Sequence, residues 1–249
     1  MEIKDYLALF ISSLALIVSW FSLKNTRNQK NKEIENSKRV SLTNTISEIS
    51  KINIETTKLN CNSEISSAAL IELRRNYNAQ RRYLTAHAEF LMEEIEHLIS
   101  DIDCNIMAVA FNLIGEYSKA NHYWEKCINV TESDVIKSMN LRGYASFLFY
   151  QGAPQLGRKK YQESLEIQLP DTDNIRRHTT DTLLLWAQTE SDFQYWDEAS
   201  RIIRQARAHC QRIGHLGMRK EMLERIEPFE ARVSENQTLQ LIRDAQSSS

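Results

Sequence analysis

The sequence predicts an all-α chain: an N-terminal transmembrane helix, a helical stalk, then an α-solenoid of antiparallel helix pairs. Three observations predict it. The 249 residues include only 6 Gly and 3 Pro, fewer turn residues than a β-rich fold needs. An apolar run without charge fills positions 6–23. A pattern of small and bulky residues returns three times between 102 and 213.

Composition sets the outer limits. Charged residues make up 26% and apolar residues 42%, ordinary for a globular protein, and the mean hydropathy of -0.47 excludes a multi-span membrane protein. Any membrane segment is therefore local. A net charge of -2 gives no general attraction to nucleic acid, and no nucleic-acid partner is expected. Of the four cysteines, Cys61, Cys104, Cys127 and Cys210, none lies in a C-x-x-C pair or has a histidine at zinc-site spacing. Their scatter suits reduced thiols, with a single bridge left open.

The run from Tyr6 to Leu23 contains no charge. At helical rise it is about 27 Å long, close to the hydrocarbon thickness of a bilayer. Tyr6 and Trp20 lie near its ends, where amphipathic rings favour the headgroup level. A cleaved signal peptide fits less well, because the start, Met-Glu-Ile-Lys-Asp, is of mixed charge and no Ala-x-Ala follows Leu23. Lys24, Arg27, Lys30, Lys32, Lys38 and Arg39 follow the run, and only Lys4 precedes it. Positive residues stay on the cytoplasmic side. The expectation is a single-pass membrane protein with residues 1–5 outside and the C-terminal domain cytoplasmic, contacting the lipid bilayer through residues 6–23.

Residues 24–62 read as a helical juxtamembrane stalk. Val40, Leu42, Ile46, Ile49 and Ile52 form a thin apolar stripe. That stripe suits either pairing with a second copy, as a homo-oligomer, or packing on the chain's own body. Over 63–101 the apolar period strengthens through Leu70, Leu73, Tyr77, Leu84, Ala88, Leu91, Ile95 and Leu98. This segment reads as a helical N-terminal cap or degenerate repeat, either one helix or two meeting near 76–79.

Three helix pairs follow over 102–213. The second helix of each carries an early small residue (Ala120, Gly157, Ala199), a bulky one (Trp124, Tyr161, Ile203) and a later small one (Cys127, Ser164, Ala206). The first helix carries Ala108, Ala145 and Ala187, each preceded by a large residue: Met107, Tyr144 and Trp186. Gly115 and Gly152 mark the turns of the first two units. Helices approach closely only where side chains are small, and a helix pair with one apolar face buries it by stacking on the next. Two positions depart from the pattern: Gln194 stands where a turn glycine is expected, and Glu190 where the earlier units carry Phe111 and Leu148. Residues 214–245 read as C-terminal capping helices and 246–249 as a disordered tail.

The string Gly115-x-Tyr117-x-x-Ala120-x-x-x-Trp124-x-x-Cys127 resembles the tetratricopeptide repeat family, and the resemblance extends over roughly 102–210. It implies an α-solenoid that takes peptide or protein ligands.

No phosphate loop, G-x-S-x-G, H-E-x-x-H or EF-hand motif occurs. The chain is therefore expected to be no enzyme and to hold no cofactor or metal. Glu94 and His97 have the Glu-x-x-His spacing of bundle metal sites, but the second copy such sites need is missing. His209 and Cys210 are neighbours that point apart on a helix, with Cys210 expected to be packed. Arginines cluster at Arg74, Arg75, Arg81 and Arg82, and again at Arg201, Arg204, Arg207 and Arg212. Interleaved acids make solvated faces of both. The alternative is contact with an anionic partner through Arg201, Arg204 and Arg207. The leading functional expectation is a membrane-anchored cytoplasmic scaffold whose repeats bind a partner protein. The alternative is an oligomeric membrane-acting effector whose transmembrane helix self-associates, with Ser12, Ser13, Ser19 and Ser22 partly along one face.

Overall fold

A computed structural model describes residues 3–60 and 67–247, with side chains described from residue 16 onward except at 17, 60, 244 and 247. The described residues are helical and contain no strand. The chain divides into two compact units, Met1–Glu116 and Tyr117–Ser249.

The first unit contains α1 (Ile3–Asn60), α2 (Ser67–Glu94), a 3-10 turn (Glu96–Leu98) and α3 (Asp101–Leu113). No glycine or proline interrupts α1, which runs as one helix of 58 residues. Its described side chains are exposed up to Ile34, including Leu16, Val18, Trp20, Phe21 and Leu23 at 54–72%. Among the described residues no helix is long and apolar enough to cross a membrane. The expected span at 6–23 falls largely where side chains lie outside the described residues.

The expected stalk is not free along its length. Leu42, Ile46 and Ile49, at helical spacing, are buried, because α1 packs on both α2 and α3. Of the two uses open to this stripe, the structure places it against the chain's own body, while Val40 points outward. Ion pairs hold the same stretch. Lys38 meets Glu94 at 3.0 Å, and Glu35 meets the His97 ring at 2.8 Å. Arg39 donates to buried Asp103 at 2.5 Å. Asp103 is also the acid of a capping box: Ser100 receives its backbone N–H, and its carboxylate accepts from the Ser100 backbone. Glu94 and His97 do not share a helical face, since α2 ends at Glu94, and each instead serves α1. No metal-holding cluster occurs among the described residues.

Of the two readings of 63–101, the described residues show one helix, α2, running unbroken through 76–79. Arg81, read as part of a solvated face, is fully buried. Its guanidinium donates to Asn53, Asn78 and Thr56, neutral acceptors that satisfy it without a carboxylate, and burial lowers its pKa.

The second unit contains α4 (Tyr117–Val130), α5 (Asp134–Tyr150), α6 (Pro154–Glu166), α7 (Asp173–Asp192), α8 (Trp196–Gln211) and α9 (Leu216–Ser247). Ser133 and Thr172 cap α5 and α7, and Pro154 opens α6. Pairs α5–α6 and α7–α8 pack closely, and α9 closes on α8 and α7. Of residues 214–245, expected as capping helices, 216–245 lie in the one helix α9. Pro228 is exposed within it, so the helical bond it cannot make is lost on the solvent side and the helix continues.

The core of this unit joins Ala145, Tyr161, Ala187, Ala199, Ile203 and Ala206, all fully buried. Gly157 shows why these positions are small: a Cβ there would lie 2.3 Å from the Phe149 ring and 2.8 Å from the Ala145 carbonyl. Bulky positions interlock between successive helices of the second unit. Trp124 stacks on Tyr144 with centroids 6.2 Å apart, and Tyr161 stacks on Trp186 at 5.3 Å. Within the α5–α6 pair, Ser164 is bonded to Ser138. The Trp124 indole N–H is buried without a partner among the described residues, a cost of about 1–3 kcal/mol.

Three turns have one geometry. After α3, Gly115 has φ +82°; after α5, Gly152 has φ +75°; after α7, Gln194 has φ +62°. Each turn closes with the same pair of backbone bonds. Glu116 donates to Phe111, Ala153 to Leu148 and Tyr195 to Glu190, each at 2.9 Å. Gly115, Gly152 and Gln194 themselves donate three residues back. This is the Schellman closure, which needs a left-handed residue.

Glu190 is the second departure, and the structure accounts for it. It is fully buried in place of an apolar residue. Arg158 from α6 grips it with two bonds of 2.8 and 2.7 Å, and the Trp186 indole donates to it at 2.9 Å. A bidentate charged pair supported by a third bond replaces an apolar contact.

Candidate partner-binding surface

Within the second unit, α5 packs beside α7 and α7 beside α9. The seams of this layer are polar. Arg177 pairs with Glu221 at 2.8 Å and Arg225 with Asp181 at 2.6 Å. The Tyr150 hydroxyl donates to Asp192 at 2.9 Å. Along α5, Met139, Arg142, Ser146 and Tyr150 follow one helical stripe, and Met139 and Tyr150 are exposed at 40% and 58%. Apolar and aromatic side chains interleaved with paired charges make a surface suited to a protein segment. Arg142 is half-buried beside Asp181, and its pKa is lowered chiefly by burial.

A cavity of about 380 Å³ opens where the α6–α7 connection meets α7 and the end of α8. Its floor is polar: Ser138, Ser164, His178 and Thr182. His178 Nε2 lies 2.9 Å from the Ser138 hydroxyl. Burial holds His178 below the usual histidine range, the positive charge of Arg142 adds to this, and Asp181 opposes it. His209 is likewise held down by burial and by Arg212. Both rings are neutral near pH 7. At the mouth Arg176 is fully engaged: it grips Asp171 with two bonds of 2.8 and 2.9 Å and donates to Asp173 and to the Arg212 carbonyl. Asp173 also accepts the backbone N–H groups of Gly214 and His215, which lower its pKa.

The arginine row expected to meet an anionic partner is largely spent within the chain. Arg201 pairs with Glu198 of its own helix, and Arg204 donates to the Ser200 hydroxyl. Arg207 ties α8 to α9 through Glu230 at 2.6 Å. Cys210 is fully buried with its thiol toward the Arg219 carbonyl, and burial raises its pKa. Cys104, Cys127 and Cys210 are buried; Cys61 lies outside the described residues. Sequence reasoning did not single out His178, Arg142 or Thr179. Their convergence depends on contacts such as Ser138 with His178, 40 positions apart, which leave no local periodicity.

No family model matches the chain, and no curated protein matches it. Among solved structures it is similar to one described as the crystal structure of BtubC (BKLC) from P. vanneervenii. The match has 16% identity and a TM-score of 0.43, and it covers 82% of this chain and 92% of the other.

Proposed function

We propose that this protein is a non-enzymatic scaffold, held in a bilayer by its first helix and binding a partner protein through tetratricopeptide-like helix pairs. The observation that carries the proposal is the division of α1 into two halves. Its N-terminal half has exposed apolar and aromatic side chains at Leu16, Val18, Trp20, Phe21 and Leu23. Its C-terminal half is built into a folded unit by Leu42, Ile46 and Ile49. Apolar exposure on this scale marks an interaction with lipid or protein. The uncharged run before it and the basic residues after it suit a bilayer with the body on the cytoplasmic face. Lys24 Nζ lies 5.3 Å from the Trp20 ring centroid, a pairing at home at the headgroup level.

The test has two arms. With the full chain expressed in cells, carbonate-washed membranes should retain the protein, and deletion of residues 1–23 should release it. A C-terminal tag should become protease-sensitive only from the cytoplasmic side. Release of the intact chain by carbonate would sink the anchor. For the partner, a photo-crosslinking residue at Met139 or Tyr150 should yield one reproducible heterologous adduct in native membranes. A ladder of self-adducts from position 20 or 21 instead would favour the oligomeric membrane effector.

A further inference from the structure

The cavity at the α6–α7 connection has an uneven supply of hydrogen-bonding groups. Its one lining carboxylate, Asp171, is occupied by Arg176 through both oxygens. The donors are not used up. Arg212 reaches Asp171 only at 3.8 Å, and its side chain is 58% exposed. Its backbone is meanwhile fixed, because its carbonyl accepts from Arg176. The Thr179 hydroxyl and the His209 ring line the same cavity, and neither has a hydrogen-bond partner among the described residues. Leu165, Ile167, Leu169 and Ile175 supply apolar wall. Donors from two helices, a guanidinium without a close partner, and no free acceptor carboxylate complement a compact anion. The volume leaves room for the group that carries it.

We propose that this cavity binds a phosphate group borne by a small ligand, with Arg212, His209 and Thr179 as its donors and the apolar wall against the rest of the molecule. A phosphate presents more acceptor oxygens than a carboxylate, and a guanidinium matches two of them at once. The site belongs to the second unit alone and stands whether or not the chain also binds a protein partner.

The probes are inorganic phosphate, phenyl phosphate and benzoate, added to the full chain in detergent micelles with 15N-labelled histidine rings. Both phosphates should shift the His178 and His209 ring signals saturably, and the bound anion should raise the His209 pKa. Benzoate should bind at least about tenfold more weakly than phenyl phosphate. Arg212→Ala should weaken phosphate binding at least about tenfold, whereas Arg204→Ala, on α8 but away from the cavity, should leave it unchanged. Thr179→Val gives a second reading with no loss of charge, and circular dichroism checks each variant's fold. Phenyl phosphate tighter than inorganic phosphate supports a phosphate ester as the ligand; equal binding would show that the apolar wall holds nothing and would overturn that part of the proposal. The proposal is overturned if neither phosphate gives a saturable shift. Benzoate binding as tightly as phenyl phosphate, or phosphate affinity indifferent to Arg212, would overturn it too.

Discussion

Replacing Gln194 with glycine should stabilise this protein, and the size of the gain follows from the backbone. Gln194 holds φ +62°, where a side chain bearing a Cβ is strained by roughly 1–2 kcal/mol. Glycine removes that strain but loses about 0.5–1 kcal/mol more conformational entropy on folding. The net expectation is a gain of about 0.5–1 kcal/mol. The reverse change supplies the control. Gly152 has φ +75°, and a Cβ there would meet nothing within 4 Å, so Gly152→Ala isolates backbone strain from crowding. It should cost about what Gln194→Gly gains. The assay is urea unfolding of the full chain in detergent, followed at 222 nm. The midpoint should rise for Gln194→Gly and fall for Gly152→Ala at unchanged slope. A lower midpoint for Gln194→Gly would show that its side chain supports the fold in a way the turn geometry does not reveal.

Two other outcomes are expected. Arg158→Leu should cost about 3 kcal/mol, because Glu190 would be left buried with only the Trp186 indole; adding Glu190→Leu should recover much of the loss, and a double-mutant cycle measures the coupling. His178 and His209 are both held below the usual histidine value of 6.5, so the unfolded chain takes up protons first. Stability should be fully present above about pH 6.5 and fall as pH drops toward the folded values, with the slope reduced in the His178→Gln, His209→Gln variant. Chemical denaturation at a series of pH values between 7 and 5 checks this, and a flat profile for the wild-type chain would contradict it.

The pairing of α5 with α6 and of α7 with α8 was legible because it rests on short-range spacing. A small residue seven positions before another on one helix, as at Gly157 and Ser164, shows where a neighbour approaches, and both are buried at such a seam. The stacking of Tyr161 on Trp186 was foreshadowed by the bulky residue lying between those small ones. What depends on distant charges was not legible. Glu190 looked like a lapse in the pattern until Arg158, 32 positions earlier, was found against it. Arg81 lay within an exposed-looking cluster, yet its acceptors on α1 take it into the interior. The cavity at the α6–α7 connection joins four helices and a connection, and no stretch of sequence contains more than part of it. The turn at Gln194 falls between these cases, since the position was legible and the residue broke the expectation while the backbone kept it.

The unbroken course of α1 has a consequence for how its two halves are phased. A helix turns by about 100° and advances about 1.5 Å with each residue. Between Lys24 and Ile34 nothing in the sequence provides a swivel. The azimuth of the apolar N-terminal half therefore sets the azimuth of the face that carries Leu42, Ile46 and Ile49. One residue inserted between them would leave every local contact intact and still turn the folded unit through more than a quarter of a circle. The number of residues in that stretch is thus an angular setting as well as a length.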